Sequence, residues 1–265
     1  MPGAPAEQSQ QDRRDTAGRG HSDRARPLYG DGDEPVTETR LLFVLGTRPE
    51  IIKLTPLIRL CRSRGVQHEL LHTGQHYSEA LDADFFELLE LESPEHTLEV
   101  GSAPHGEQTG LMLAGIERVV AETTPSVVVV QGDTNSVLAG ALAASKMAPA
   151  LAHVEAGLRS FDRSMPEEVN RVLADHVADH LFAPTESAAE YLAQEGLGPD
   201  NITVTGNTIV DAVYHYSERA RAESEILSTL GVSAGDFILL TVHRAENVDD
   251  PDTFRSILEG VSQYA

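Results

Sequence analysis

Three carboxylates in the sequence stand where a side chain could move a proton: Asp133, Glu155 and Glu167. Asp133 and Glu155 each follow a short apolar run, and Glu167 stands at the start of a segment with helical character. A partly buried carboxylate has a raised pKa, which suits it to take a proton from a substrate and return it near neutral pH. These three residues are our candidate acid/base groups.

Each of these carboxylates also has a purely structural interpretation. Asp133 could cap the helix predicted to follow it. As a functional alternative to proton transfer, it could accept a hydrogen bond from a sugar hydroxyl. Glu155 could pair with Arg159 around a turn, and Glu167 matches the capping-box pattern Ser164-x-x-Glu167. The residues alone leave both interpretations open for each carboxylate.

Cations are scarce in this chain, which has 42 Asp and Glu residues against 20 Lys and Arg and a formal net charge of -22. Arg48 and Lys53 nevertheless lie in the first turns of a predicted helix, and a guanidinium beside a helix N-terminus is a favourable phosphate site. His243 and Arg244 follow another apolar run, where they could stabilise a leaving phosphate. His243 therefore joins the candidate catalytic residues. The predicted substrate-binding residues are Arg48, Lys53, Gln75, His76 and Arg244.

The turn before Arg48 is predicted to begin a helix. Thr47-x-x-Glu50 is a capping box, so we expect Thr47 to cap the helix, Pro49 to lie in its first turn and Glu50 to reach back to the free amides. This accounts for every residue of the turn except Arg48, which favours a functional role for that side chain.

The histidines and the cysteine do not indicate a metal site. His176 and His180 lie four residues apart, a spacing that can hold a metal, but no third ligand is identifiable and His180 is predicted to begin a strand. His153, inside another predicted strand, is typical of a core histidine. The single cysteine, Cys61, excludes an intramolecular disulfide and any multi-cysteine cluster. We predict no metal and no cofactor.

Short apolar runs alternate with longer helical segments from residue 40 onward. This pattern predicts an α/β fold with a parallel sheet that is covered on both faces. Ligands in such folds bind at the carboxyl ends of the strands, where most of the candidate residues lie. The predicted strands are Leu41–Leu45, His68–His72, Val127–Gln131, Leu151–Val154, His180–Ala183, Ile202–Thr205 and Phe237–Val242. The predicted helices are Glu50–Arg62, Ser78–Leu89, Glu107–Glu122, Ser136–Lys146, Glu167–Ala178, Glu186–Glu195, Thr208–Leu227 and Asp252–Tyr264.

Composition argues against several classes of protein. A strongly acidic surface repels polyphosphates, which disfavours nucleic-acid binding, and no apolar run approaches the roughly 18 residues of a membrane span. The sequence has no P-loop, no dinucleotide-binding glycine fingerprint and no Gly-x-Ser-x-Gly elbow, which argues against a P-loop NTPase, an NAD enzyme and an α/β-hydrolase. We predict a cytoplasmic protein whose acidic, lysine-poor composition fits a high-salt cytosol.

Eight short motifs follow one another along the chain from Leu41 to about Ala265. They are FVLGTRPEIIK (Phe43–Lys53), TGQH (Thr73–His76), VVVVQGDT (Val127–Thr134), HVEAGLRS (His153–Ser160), MPEEVNR (Met165–Arg171), APTE (Ala183–Glu186), VTGNTIVDA (Val204–Ala212) and TVHRAEN (Thr241–Asn247). No single motif is decisive, but the ordered set resembles the non-hydrolysing UDP-N-acetylglucosamine 2-epimerases.

This resemblance implies two Rossmann-like domains of glycosyltransferase B type, a UDP-sugar ligand, a homodimer and a role in polysaccharide biosynthesis. It also implies interconversion of UDP-GlcNAc and UDP-ManNAc without a metal or redox cofactor. In that reaction the C2 proton is removed and UDP leaves C1, and UDP re-adds to 2-acetamidoglucal after the proton returns to the opposite face. The family's functional positions fall on Arg48, Lys53, Asp133, Glu155, Glu167 and His243.

Composition and the resemblance together divide the chain. We expect residues 1–37 to be a disordered arm, 38–206 an N-terminal Rossmann-like domain, and 207–265 a linker helix with the first part of a second, incomplete Rossmann-like domain. Two alternatives remain: a hydrolysing epimerase that releases ManNAc, and a fragment that only binds sugar nucleotides or is inactive because the rest of that domain is missing.

Overall fold

A computed structural model of the chain describes residues 39–75, 85–242 and 245–264. The predicted arm (1–37), most of the predicted helix Ser78–Leu89, and the candidate residues His76, His243 and Arg244 lie outside these ranges. Residues 85–88, at the end of that predicted helix, are helical. None of the helices in the described ranges is both long enough and apolar enough to cross a membrane.

The described residues contain one sheet of seven parallel strands, which confirms the predicted α/β class. The strands are β1 (Arg40–Leu45), β2 (Gln67–His72), β3 (His96–Thr97), β4 (Val127–Gln131), β5 (Ala150–Val154), β6 (His180–Ala183) and β7 (Ile202–Val204). Their order is β3-β2-β1-β4-β5-β6-β7. This is the Rossmann arrangement, in which the strand order reverses between β1 and β4.

Helices connect and cover these strands. They are α1 (Arg48–Ser63), α2 (His105–Thr123), α3 (Asn135–Ala144), α4 (Pro166–Val177), α5 (Glu186–Gln194), α6 (Thr208–Glu223), α7 (Ile226–Leu230), α8 (Ala245–Val248) and α9 (Pro251–Ser262), with a 3₁₀ turn at Pro199–Asn201. The chain divides into two compact units between Val213 and Tyr214, and the whole sheet lies in the first unit.

The central strands of the sheet are buried on both faces because they carry apolar side chains at successive positions. In β1, Leu42 and Val44 belong to the main core cluster, and Phe43 and Leu45, which point to the opposite face, are also at most 1% exposed. All five residues of β4 are buried. A continuous apolar strand of this kind is stable only between two helical layers, so the first unit is the three-layer fold that the sequence predicts.

Six of the seven predicted strands are confirmed, with ends that differ by one residue at most. The prediction of a strand at Phe237–Val242 is wrong, because these residues have no regular secondary structure and pair with no strand within the described ranges. Leu239 is 81% exposed there. An apolar run becomes a strand only when a neighbouring strand accepts its backbone hydrogen bonds.

Two other differences concern short elements. The sequence did not indicate β3, which has only two residues and pairs Leu71 with His96 and His72 with Thr97. The single helix predicted at Thr208–Leu227 is two helices, α6 and α7, which are separated by two non-helical residues.

Candidate active site

The carboxyl ends of β1, β4 and β5 lie side by side, since these three strands are neighbours in the sheet. The loop after β4 begins with Gly132, and the loop after β5 begins with Glu155. A backbone hydrogen bond of 3.1 Å from Gly132 N to Val154 O joins the two loops at their origin. The β4 loop and β5 loop, as we call residues 132–134 and 155–158, therefore bring Asp133 and Glu155 to adjacent positions along one edge of the sheet.

Glu155 is held by a lysine from a different part of the chain. Lys53 Nζ, on α1, lies 2.8 Å from both Glu155 Oε1 and Oε2, and Gln131 Nε2 donates to Oε2 at 3.1 Å. The Glu155 side chain is 12% exposed, and its backbone has the left-handed φ of 69°, which is rare for a residue with a side chain. The predicted pairing with Arg159 is wrong, because Arg159 binds Asp175 instead.

The Asp133 carboxylate faces α4. Its Oδ2 pairs with the guanidinium of Arg171, and Asn170 Nδ2 donates to the Asp133 carbonyl oxygen at 2.9 Å. Asp133 is not the cap of α3, since Thr134 holds that place and its Oγ1 accepts from Val137 N at 3.3 Å. The capping interpretation of Asp133 is therefore wrong, and its side chain remains one-third exposed at the strand end.

The capping box predicted around Glu167 does not form. The N-cap of α4 is Met165, and the Ser164 hydroxyl donates to Asp162 at 2.6 Å. Glu167 is exposed on the first turn of α4, whereas the next residue, Glu168, is buried. Glu167 is thus free of the structural role that the sequence offered as its alternative.

Glu168 holds the segment that follows the β5 loop. Its oxygens accept from Ser160 N and Oγ at 2.9 Å and from Phe161 N at 3.0 Å, and Arg171 lies 3.3 Å away. Burial alone would raise the pKa of Glu168, but these hydrogen bonds and the Arg171 charge outweigh it, so its pKa is lowered. Arg171 therefore connects a buried, ionised Glu168 with the candidate acid/base residue Asp133.

Glu50 ties the first turn of α1 to the β4 loop. It is 2% exposed, and it accepts from Gly46 N and Thr47 Oγ1 at 2.9 Å and from Thr134 Oγ1 at 2.7 Å. Glu50 reaches back as the capping box predicts, but the Thr47 side chain makes no cap hydrogen bond, because it donates to Glu50 instead. Desolvation raises the pKa of Glu50 in spite of the three donors.

The predicted substrate-binding residues have different surroundings. Arg48 is exposed at the start of α1, with its guanidinium carbon 5.7 Å from the centre of the Phe85 ring. Gln75 is buried, and its Oε1 accepts from Ser136 N at 3.0 Å and Ser136 Oγ at 2.8 Å. The Gln75 side chain therefore fixes the start of α3, and Arg48 is available for an anion.

A buried charged group lies behind the two loops. Asp175 Oδ1 is 2.7 Å from His153 Nδ1, its Oδ2 is 2.7 Å from Arg159 NH1, and both His153 and Asp175 have fully buried side chains. His153 Nε2 donates to Gly132 O at 2.8 Å. The prediction of a core histidine with satisfied hydrogen bonds is confirmed.

His153 faces an acceptor with each ring nitrogen, so both nitrogens carry a proton. Burial would lower the pKa of His153, but the charge and hydrogen bond of Asp175 and the bond to Gly132 outweigh this and raise it. Burial would likewise raise the pKa of Asp175, and His153 and Arg159 lower it. The described residues hold no group of three His, Cys, Asp or Glu side chains that could bind a metal.

Comparison with known proteins shows the family. Residues 59–265 match the family model described as UDP-N-acetylglucosamine 2-epimerase. The chain belongs to the UDP-N-acetylglucosamine 2-epimerase family. It is 53% identical over 224 residues to the UDP-N-acetylglucosamine 2-epimerase of Methanocaldococcus jannaschii, covering 84% of this chain and 61% of that relative.

A crystal structure and a second relative carry sugar nucleotides in their names. The crystal structure of the M. jannaschii UDP-GlcNAc 2-epimerase in complex with UDP-GlcNAc and UDP matches with a TM-score of 0.78 at 53% identity, covering 85% of this chain and 62% of that one. The UDP-2,3-diacetamido-2,3-dideoxy-D-glucuronate 2-epimerase of Pseudomonas aeruginosa is 41% identical over 228 residues, which is 84% of this chain and 63% of that relative. The chain thus spans a little over three-fifths of the length of these relatives.

The epimerase fold brings some of the sequence-predicted residues together and leaves others apart. Lys53 and Glu155 are in direct contact, and Asp133 lies on the neighbouring loop. Sequence reasoning missed Gln131 and Asp175 as supports of this site. Gln131 is a polar residue at the end of an otherwise apolar strand, which could have drawn attention to it, whereas nothing in the pattern around Asp175 indicates burial.

Proposed function

We propose that the chain carries UDP-GlcNAc 2-epimerase chemistry and interconverts UDP-GlcNAc and UDP-ManNAc. One observation carries the proposal: Glu155, in contact with Lys53, and Asp133, in contact with Arg171, stand on adjacent strand ends of a chain in the epimerase family. Carboxylates on two neighbouring loops at the carboxyl edge of a parallel sheet, where ligands of such folds bind, can act on one sugar ring.

The reaction is an elimination of UDP followed by its re-addition, and it depends on UDP as a good leaving group because the C2 hydrogen is itself only weakly acidic. One carboxylate takes the C2 proton, the C–H electron pair becomes the C1=C2 double bond, and the C1–O bond to UDP breaks. The intermediate is 2-acetamidoglucal. A proton is then delivered to C2 from the opposite face while UDP re-adds to C1, so that no atom is lost and no electrons leave the sugar.

Three carboxylates are candidates for these proton transfers: Asp133, Glu155 and Glu167. Lys53 lies within hydrogen-bond distance of Glu155 and keeps a positive charge beside it. We propose that Arg48 neutralises the diphosphate as it departs, and the predicted roles of His243 and Arg244, which lie outside the described residues, stay predictions. We propose that Gln75 acts on the substrate indirectly, by holding Ser136 at the start of α3. The substrate contact of His76, which lies outside the described residues, stays a prediction.

Incubation with UDP-GlcNAc in deuterated buffer tests the proposal. Epimerisation predicts deuterium at C2 of UDP-GlcNAc and UDP-ManNAc, seen by proton NMR and mass spectrometry, with no free sugar. Free ManNAc with UDP would instead identify the hydrolysing reaction. Parallel incubation with UDP-2,3-diacetamido-2,3-dideoxy-glucuronate, the sugar nucleotide in the name of the P. aeruginosa relative, identifies the preferred substrate.

Matched variants connect the activity to the site. Glu155→Gln and Asp133→Asn should each lower the rate of C2 exchange by about 100-fold or more, because a positioned acid or base contributes about that factor. Glu122→Gln, an exposed carboxylate on α2, is the control and should retain the wild-type rate. Binding of UDP without exchange at C2 in the wild-type protein would contradict the proposed activity and favour a sugar-nucleotide-binding fragment.

The other expectations from the sequence stay predictions. They are a homodimer, a cytoplasmic location, a high-salt environment, a role in polysaccharide biosynthesis, and the division into domains at 38–206 and 207–265.

A further inference from the structure

The β4 loop and the β5 loop are both attached to one buried carboxylate, that of Asp175 on α4. One attachment is direct, since Gly157 N donates to Asp175 Oδ2 at 3.1 Å. The other passes through His153, which binds Asp175 Oδ1 at 2.7 Å and donates to Gly132 O at 2.8 Å. Asp133 directly follows Gly132, and Glu155 precedes Gly157 by two residues.

The charges in this buried group are balanced. Arg159, whose side chain is 1% exposed, donates from NH1 to Asp175 and pairs through Nε and NH2 with the two oxygens of Glu195 at the C-cap of α5, each at 2.7 Å. Two cations, His153 and Arg159, thus face two anions, Asp175 and Glu195. A balanced and fully hydrogen-bonded group can be both buried and rigid, whereas the loss of one member leaves a buried charge without its partner.

The loops need such support because their backbones are tightly turned. Gly132 has a φ of 84°, Glu155 of 69° and Gly157 of 81°. The left-handed conformation of Glu155 is strained because this residue has a side chain, and a residue keeps a strained conformation only when its surroundings hold it there.

We propose that Asp175 is a positioning residue that holds the β4 loop and the β5 loop, and hence Asp133 and Glu155, in the geometry required for proton transfer. The catalytic part of this inference rests on the proposed function; the attachment of the two loops does not. Asp175 acts on Glu155 through the Gly157 amide, and on Asp133 through His153 and the Gly132 carbonyl. Its role is therefore separable into two attachments, one of which can be removed without the other.

The test compares three full-length variants by amide hydrogen exchange, resolved by residue with NMR. Asp175→Asn should speed exchange at both Gly132 and Gly157 by about tenfold or more, since each loses support from a charged group. His153→Phe should do so at Gly132 alone, because Gly157 keeps its bond to Asp175. Asp179→Asn is the control: Asp179 Oδ2 accepts from Leu151 N at 2.9 Å at the opposite end of β5, so neither loop amide should change.

Kinetics provide the second measurement. Asp175→Asn and His153→Phe should lower kcat by about 100-fold while KM changes by less than about threefold, because misplaced carboxylates affect the reacting atoms more than substrate binding. The Asp179→Asn variant should keep the wild-type kcat. If Asp175→Asn does not fold, His153→Phe tests the inference through Gly132 alone.

Two results would overturn the inference. Uniformly faster exchange over the whole sheet in both variants would show that Asp175 and His153 serve general stability only. Loosened loops with an unchanged kcat would show that the attachment has no catalytic consequence. An inactive wild-type protein would contradict the proposed function, and the exchange rates at Gly132 and Gly157 would still decide whether Asp175 holds the loops.

Discussion

The ion pair between Lys53 and Glu155 should contribute measurably to the free energy of unfolding. The distance between its charges and their exposure give the size of this contribution. The Nζ–Oε distance is 2.8 Å, and the side chains are 24% and 12% exposed. Opposite charges about 4 Å apart attract by about 4 kcal/mol at an effective dielectric constant near 20, before the cost of desolvation is subtracted. Hydrogen bonds to charged groups contribute about 1.5–3 kcal/mol net, and the residual exposure places this pair near the lower end, at about 1.5 kcal/mol.

A double-mutant cycle measures this coupling. The variants are Lys53→Met, Glu155→Gln and the double variant, and the free energy of unfolding is taken from urea titrations, because guanidinium chloride is itself a salt that screens ion pairs. The control cycle uses Arg62 and Glu92, which lie 3.0 Å apart with side chains 61% and 71% exposed. An exposed pair of this kind should couple by only about 0.2–0.5 kcal/mol.

Salt provides a second check on the same cycle. Raising sodium chloride from about 0.1 M to about 1 M shortens the screening length from about 10 Å to about 3 Å. The exposed Arg62–Glu92 coupling should then vanish, whereas the partly buried Lys53–Glu155 coupling should keep more than about half of its value. A Lys53–Glu155 coupling no larger than that of the control, or one lost equally with salt, would contradict a stabilising, partly buried ion pair at this position.

Gly157→Ala should destabilise the protein by at least about 2 kcal/mol more than Gly132→Ala in urea unfolding, since both have positive φ but only a Cβ at 157 would lie 2.4 Å from a carbonyl oxygen of α5. Equal costs would contradict this. Glu50→Gln should flatten stability against pH. Because burial raises the pKa of Glu50 above 4.5, the wild-type contribution is full below that pH and is lost as pH rises through the folded pKa; an unchanged dependence of Tm on pH would contradict it. Ile116→Ala, fully buried, should cost about 2–5 kcal/mol in urea unfolding, and Leu111→Ala, 52% exposed on the same helix, under about 1 kcal/mol, whereas similar costs would argue against the assigned burial.

Much of the first unit could be predicted because its patterns are local. An apolar run such as Val127–Gln131 is a strand by its side chains alone, and the alternation of strands with helical segments requires a parallel sheet. The same reasoning failed at Phe237–Val242, whose residues have the right types but pair with no strand within the described ranges. A strand needs a partner, and side-chain composition does not show whether one is present.

For the candidate site, too, some features follow from local sequence patterns and others depend on the fold. Sequence pattern alone places Asp133 and Glu155 after strands, because strand ends are set by the residues around them. It did not determine their partners: Glu155 pairs with Lys53, 102 positions away, rather than with Arg159, which lies four positions away. These pairings depend on the fold, since strand order and the packing of helices on the sheet, not separation along the chain, fix which charges come within hydrogen-bond distance.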